Sequence, residues 1–144
     1  MKYIVLILIS FLSFSCSFTD SDVLDIKEKF SENKPEFEKL VSIILNDENL
    51  TYQSGHFIDA KSIKKNILEN LEDLEIKLDN IDKTDCEKFD VTFELLWDNS
   101  VHIFMVKEGC PSERSSKNYI QKGEMIDTYG LGDGWVLWID HDFI

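Results

Sequence analysis

The chain has 144 residues, of which 43% are hydrophobic and 12% aromatic, and its formal net charge is −13. This length and composition predict one packed globular domain rather than two domains or a disordered tail. The excess of acidic residues argues against a DNA- or RNA-binding surface, because phosphate neutralisation requires clustered lysine and arginine. An acidic surface suits solubility or a basic protein partner.

The N-terminus has the pattern of a secretory signal peptide. Residues 3–12 are almost entirely apolar and follow one positive charge, Lys2. This run is too short to span a bilayer as a mature helix. The next residues, Ser13-Phe14-Ser15-Cys16, resemble the lipobox of bacterial lipoproteins, with Ser13 where that family usually has an aliphatic residue. The resemblance implies that residues 1–15 are a signal peptide, that Cys16 is lipidated, and that residues 16–21 tether a domain of residues 22–144.

The same resemblance implies a location in the cell envelope, facing the periplasm or the cell surface. The partner of the chain there is the membrane, which it would contact through acyl chains on Cys16. Each buried methylene group contributes about 0.8 kcal/mol, so that two or more chains anchor stably where one does not. An ordinary secretory signal and an uncleaved anchor are the alternatives.

An apolar stripe at helical spacing follows the predicted tether. Its members are Val23, Ile26, Phe30, Phe37, Leu40, Val41, Ile44 and Leu45. The spacing predicts a helix that is capped by Ser21 or Asp22 and ends near Asn46. Pro35 lies inside it, so we expect one kinked helix or two nearly collinear ones. We interpret the stripe as core.

Residues 50–53 could form a short strand, and a second helix is predicted from Asp59 or Ser62 to about Asp73. Residues 74–82 have apolar spacing that fits a helix or a strand. We favour a strand over Ile76 to Asp82, because it gives the hairpin that follows a neighbour, and a lone hairpin is marginal in water.

Two runs of alternating apolar residues, 89–97 and 101–106, predict a β-hairpin. Further strands are predicted at 119–120, 124–129 and 135–140, the last after a tight turn at Asp133-Gly134. Helices followed by hairpin-connected strands predict an α+β fold. We expect two N-terminal helices packed on one face of a mainly antiparallel sheet of about four to five strands.

With Cys16 lipidated, Cys86 and Cys110 remain, an even number in a protein outside the cytosol. If Trp97 faces Val101 across the hairpin, Cys110 faces Lys88, and Cys86 lies just past the end of the strand. This geometry predicts a disulfide bond. A bridge that closes a loop of about 24 residues would stabilise the fold by roughly 3 kcal/mol.

No motif for catalysis, a cofactor or a metal ion stands out. His56, His102 and His141 lack metal-finger spacing, and the chain has no HExxH, CxxC or GxSxG motif. The run Asp140-His141-Asp142 does not converge on one ion, because adjacent residues on a strand point to opposite faces. We therefore predict no catalytic, cofactor-binding or metal residues.

Tyr129, Trp135 and Trp138 form a candidate interaction surface. Trp135 and Trp138 fall on opposite faces of a regular strand, so one of them can face away from the helices, and tryptophan is favoured at interface hot spots. Core packing is the alternative. The surrounding run, Gly-Asp-Gly-Trp-Val-Leu-Trp-Ile-Asp at 132–140, resembles small uncharacterised bacterial lipoproteins. That resemblance implies no activity.

These features predict a lipid-anchored, non-catalytic interaction protein that binds a basic envelope or secreted protein, with an immunity or inhibitor role as one version. The alternative is an envelope enzyme or small-ligand-binding protein that uses His102, His141 and nearby aspartates. A deep pocket gathering these residues would favour the alternative. A solid core with an exposed aromatic and acidic face would favour the interaction protein.

Overall fold

The structure is a computed structural model that describes residues 18–47, 65–96 and 101–141. The predicted signal peptide at 1–15, Cys16, His56, the strand predicted at 50–53 and the start of the second predicted helix lie outside the described residues. Among the described helices, none combines the length and the apolar character needed to cross a membrane.

Two α-helices, one 3-10 helix (Glu113–Ser115) and six strands make up the described fold. The α-helices are α1 (Asp20–Leu45) and α2 (Lys65–Asp73). The strands are β1 (Ile76–Lys83), β2 (Phe89–Leu95), β3 (His102–Lys107), β4 (Ile120–Gln121), β5 (Ile126–Gly132) and β6 (Trp135–Asp140). They form one antiparallel sheet in the order β1-β2-β3-β6-β5-β4. The α+β class is confirmed, but the sheet has six strands instead of the expected four to five.

The prediction of two N-terminal helices packed together on the sheet is wrong for the second helix. Only α1 is N-terminal, whereas α2 has nine residues and begins in the middle of the chain. The cap of α1 also differs from the prediction. Thr19 is the N-cap, and the Asp22 carboxylate accepts from its backbone N–H at 2.6 Å, which makes a capping box. Asp20 and Ser21, which the sequence analysis assigned to the tether, are helical residues of α1.

α1 runs continuously through Pro35 for 26 residues and buries the predicted stripe against one face of the sheet. The sheet residues under it include Val91, Phe93, Ile103, Met105, Leu137 and Ile139. α2 adds Ile67 and Leu71 to the same core. In the described residues, α1 and α2 therefore pack on the same face of the sheet, and α1 leaves the second face uncovered.

The strand predicted from Ile76 is confirmed as β1, which pairs with β2. Glu75 has a φ of 54°, so the chain leaves the helical conformation there before the strand starts. The register predicted for the β2–β3 hairpin is also confirmed, because Val91 lies opposite Lys107. At the β5–β6 turn, Asp133 and Gly134 have φ values of 52° and 80°, as a tight hairpin turn requires.

Trp135 packs between α1 and the centre of the sheet. Its side chain is fully buried, and its ring centroid lies 5.3 Å from that of Phe30 and 5.9 Å from that of Phe37. Its indole N–H donates to Glu38 Oε1 at 2.7 Å, and Lys107 Nζ donates to the same oxygen at 2.9 Å. One carboxylate on α1 therefore satisfies a buried donor and also holds a lysine from β3.

Cys86 and Cys110 lie at disulfide distance, with Cα atoms 6.5 Å apart. Close packing beside them brings the two ends of the hairpin together. A Cβ atom at Gly109 would lie 2.6 Å from the carbonyl oxygen of Phe89, so only glycine fits there. The Gly109 N–H donates to Asp90 Oδ1 at 2.7 Å. This arrangement fits the predicted bridge.

We expect the double substitution C86S/C110S to lower the free energy of unfolding by about 3 kcal/mol, because the bridge removes loop entropy from the unfolded chain. Urea unfolding followed by tryptophan fluorescence would measure the change. Reduction of the disulfide in the unsubstituted protein should lower the urea midpoint of unfolding as much as the double substitution does. Two free thiols in unreduced, unfolded protein would contradict the bridge.

We expect E38Q to lower the free energy of unfolding at pH 7 by about 1 kcal/mol, the usual net contribution of one hydrogen bond. Burial raises the pKa of Glu38, but hydrogen bonds from Trp135 and Lys107 outweigh it and lower that pKa below 4.5. The stabilisation is therefore complete above pH 4.5 and is lost as pH falls through the lowered pKa. The difference in free energy of unfolding between E38Q and the unsubstituted protein should therefore become smaller as pH falls. Urea titrations at several pH values would measure it.

E36Q is the matched control, because Glu36 is an exposed residue of the same helix and its carboxylate lies 4.0 Å from the Lys39 nitrogen. E36Q should change the free energy of unfolding by less than about 0.5 kcal/mol, both at pH 7 and at a pH below the lowered pKa of Glu38. Equal effects of E36Q and E38Q would show that the contact with Trp135 is unimportant.

Candidate interaction surface on the open face of the sheet

Among the described residues, a loop covers one end of the sheet face opposite α1. Residues 108–119 fold over that end and bury Val106 and Val136. Gly130 allows this close approach, because a Cβ atom there would lie 1.8 Å from the carbonyl oxygen of Ser116. The buried Glu108 holds this loop in place by accepting from the Ser112 N–H at 2.7 Å.

The rest of this side is a half-exposed surface that we call the open face. Strand alternation and the cross-strand register place its residues together. They are Lys77, Asp79, Asn80, Asp82, Asp90, Thr92, Glu94, His102, Phe104, Ile126, Trp138 and Asp140. The set combines aromatic rings with five carboxylates and one lysine.

The aromatic part of the open face is centred on Phe104 and Trp138, which lie directly opposite each other on β3 and β6. The imidazole of His102 stacks beside Phe104, with ring centroids 6.2 Å apart. The guanidinium of Arg114 lies 5.8 Å from the Trp138 ring centroid. Ile126, which is 46% exposed, extends the apolar surface onto β5. These side chains form a small apolar area surrounded by charged groups.

Glu94 is the centre of the charged part. Its carboxylate accepts from Lys77, and its Oε1 lies 2.6 Å from Nδ1 of His102. Burial raises the pKa of Glu94, but the hydrogen bonds from Lys77 and His102 more than compensate and lower it. Glu94 is therefore a negative charge held in a fixed position next to the aromatic rings.

The other carboxylates of the open face lie where their negative charges destabilise the fold. Burial and the nearby charge of Glu94 raise the pKa of Asp79. Burial and the charges of Glu108 and Asp82 raise the pKa of Asp90, although it accepts a hydrogen bond from the Gly109 N–H. Asp82 lies directly opposite Asp90, and like charges in that position are destabilising. Local rules of stability are broken most often at functional surfaces.

The burial of two predicted interaction residues corrects the sequence prediction. Trp135 and Tyr129 face α1 and are 0% and 4% exposed, so neither can contact a partner. Trp138 lies on the opposite face and is half-buried, as strand alternation predicted for one of the two tryptophans. Of the three predicted residues, only Trp138 belongs to the open face.

The structure separates the histidines of the alternative hypothesis. His102 lies on the open face, opposite Asp140. His141 lies beyond Asp140, where its Nε2 is 3.2 Å from Asp127 Oδ2, and Asp127 pairs with Ile139 on the α1 side. Within the described ranges, no three His, Cys, Asp or Glu side chains are grouped closely enough to hold a metal ion.

Sequence reasoning missed Phe104, Glu94 and Asp79 as members of this surface. The predicted register already placed Glu94 opposite Phe104, a pairing that the structure confirms. The predicted register therefore already indicated that a charged and an aromatic side chain lie together on one face of the hairpin. Asp79 could not be found in this way, because the register shifts between Leu78 and Asn80 at a bulge.

Comparisons of the chain with protein-family models, with curated proteins and with solved structures found no match in any of the three.

We expect D79N to raise the stability at pH 7 by less than about 1 kcal/mol, because it removes a partly screened charge that burial and Glu94 disfavour. When the pKa of a carboxyl group is higher in the folded state, the free energy of unfolding decreases as pH rises from 3.8 through the raised pKa. The gain should therefore vanish at about pH 3, where the carboxyl is protonated in both states.

Urea unfolding at both pH values measures this effect, with D85N as the matched control, since Asp85 is an exposed aspartate of the β1–β2 turn. A loss of stability in D79N at pH 7 would mean that the Asp79 carboxylate is stabilising in its place.

Proposed function

We propose that the chain is a lipid-anchored, non-catalytic interaction protein of the cell envelope that binds a basic protein through its open face. The lipobox-like segment at Cys16 supports the anchor. The aromatic and acidic composition of the open face, over a solid core, supports the binding role and carries the proposal. In this proposal, the short segment between Cys16 and Thr19 holds the domain close to the membrane.

Charge complementarity indicates the kind of partner. The open face has five carboxylates against Lys77 and the Arg114 guanidinium that lies over Trp138, and the whole chain has a formal charge of −13. Opposite potentials speed association and reject wrong partners. A basic surface on a secreted or envelope protein is the complement of this face.

The aromatic pair provides the part of the interface that would exclude water. Trp138 and Phe104 are rigid side chains held by the sheet, and Trp is among the residues that most often dominate binding energy. The buried carboxylate of Glu94 already holds Lys77 and His102 beside them, so the exposed Asp82 is the carboxylate that would pair with an arginine or lysine of the partner. We infer a partner whose cationic side chains surround an apolar one.

An immunity or inhibitor role is one concrete version of this proposal. Such proteins are often small, acidic and α+β, which is a similarity of type and not evidence of the activity. The cost in stability at Asp79, Asp82 and Asp90 fits a surface whose charges serve binding.

We expect a photo-crosslinking amino acid at position 138 to capture a basic partner in intact cells, and one at position 24 to capture none. Leu24 is the control because it is 64% exposed on α1, on the other side of the sheet. Capture at 138 should fall steeply as salt rises and should be lost in the variant D79N/D82N/D90N, in which three open-face charges are removed.

Identical captured proteins at positions 24 and 138 would contradict the proposal, as would capture at 138 that the triple substitution leaves unchanged. D85N removes one charge outside the open face and should leave capture unchanged.

A further inference from the structure

A second surface feature lies away from the open face, between α1 and the β5–β6 hairpin. It is a cavity of about 410 Å³, within the size range of small-molecule sites. Its polar walls are Lys27, Ser31 and Lys34 from α1, together with Lys117 and Asn118 from the loop before β4. Phe30 and Leu131 supply apolar walls.

The lysines of this cavity come from distant parts of the chain. Lys27, Ser31 and Lys34 are spaced four and three residues apart, so they share one side of α1. Lys117 is brought to them by the approach of its loop to β5, where a Cβ atom at Gly132 would lie 3.7 Å from the Cβ of Lys117. The fold thus gathers three of the 15 basic residues of a strongly acidic chain.

The charges in the cavity are not balanced. Lys34 pairs with Asp133, the single acidic residue of the lining. Within the described ranges, neither Lys27 nor Lys117 has a carboxylate within ion-pair distance. Three lysines against one aspartate leave a local charge of +2, opposite in sign to the charge of the whole chain.

Lys27 is the most informative of these cations. Its Nζ lies 4.8 Å from the ring centroid of the buried Tyr129, and burial lowers its pKa. An ammonium group that loses water without gaining a counter-ion costs free energy, which a cation–π contact offsets only in part. A bound anion would supply the missing counter-charge.

We propose that this cavity binds a small anionic molecule through a phosphate or carboxylate group placed between Lys27 and Lys117. Ser31 and Asn118 can donate hydrogen bonds to the same group, and Phe30 and Leu131 offer contact to an apolar portion. The site does not depend on the open face or on the proposed partner. It differs from the predicted small-ligand alternative, because it contains neither His102 nor His141.

The test is an NMR titration of the full chain in non-ionic detergent with three probes: inorganic phosphate, phenyl phosphate and benzoate. We expect saturable shifts of the Ser31, Asn118 and Leu131 amides. Phenyl phosphate should bind more tightly than phosphate because it adds apolar contact. The comparison of phenyl phosphate with benzoate distinguishes a phosphate from a carboxylate ligand.

The variant K27Q/K117Q should weaken binding of the best probe by about tenfold or more, since it removes two charge-assisted contacts. K65Q is the matched control, because Lys65 is exposed and distant from the cavity lining. It should change the affinity by less than about twofold. Probe binding should also raise the pKa of Lys27 in the unsubstituted protein.

The proposal is overturned if none of the probes gives saturable shifts up to about 20 mM at constant ionic strength. Equal affinities of K27Q/K117Q and K65Q for the best probe would overturn it as well. Both variants change exposed or half-exposed side chains, and their amide spectra without probe check that the fold is intact.

Discussion

The contact between Trp135 and α1 is the constraint on which the rest of the structure depends. The indole is fully buried between Phe30 and Phe37 of the helix and Phe93 of the sheet. A buried indole N–H needs an acceptor, and Glu38 provides it. This contact commits one face of the sheet to the long helix. Among the described residues, 108–119 cover one end of the opposite side, and the remainder of that side is the open face.

Two patches of opposite charge lie on different parts of the domain. Five carboxylates lie on the open face, around Glu94, whereas Lys27 and Lys117 line a cavity beside α1. The net charge of −13 is a sum over all residues and does not reveal the cationic cavity. Two surfaces of opposite sign on one small domain suit two different ligands, a basic protein and a small anion. Neither would compete with the other for the same side chains.

Much of the fold could be read from the sequence, because local alternation and turn residues determine it. The register of the β2–β3 hairpin followed from assuming a short turn, and Glu94 and Phe104 are paired as it required. Alternation also placed Trp135 and Trp138 on opposite faces, but it could not say which face the helix would cover. The cap at Thr19 and the lysine cavity depend on side-chain geometry and on contacts between distant segments, which spacing alone does not reveal.

In the proposed function, a tether at Cys16 would present the open face in the envelope, so the most direct test is the mass of the native polypeptide. Protein isolated from membranes of the producing cells should yield an N-terminal fragment that begins at Cys16 and carries acyl chains. A fragment that begins at an unmodified Met1, on a water-soluble protein, would contradict the lipid-anchored interaction protein proposed for this chain.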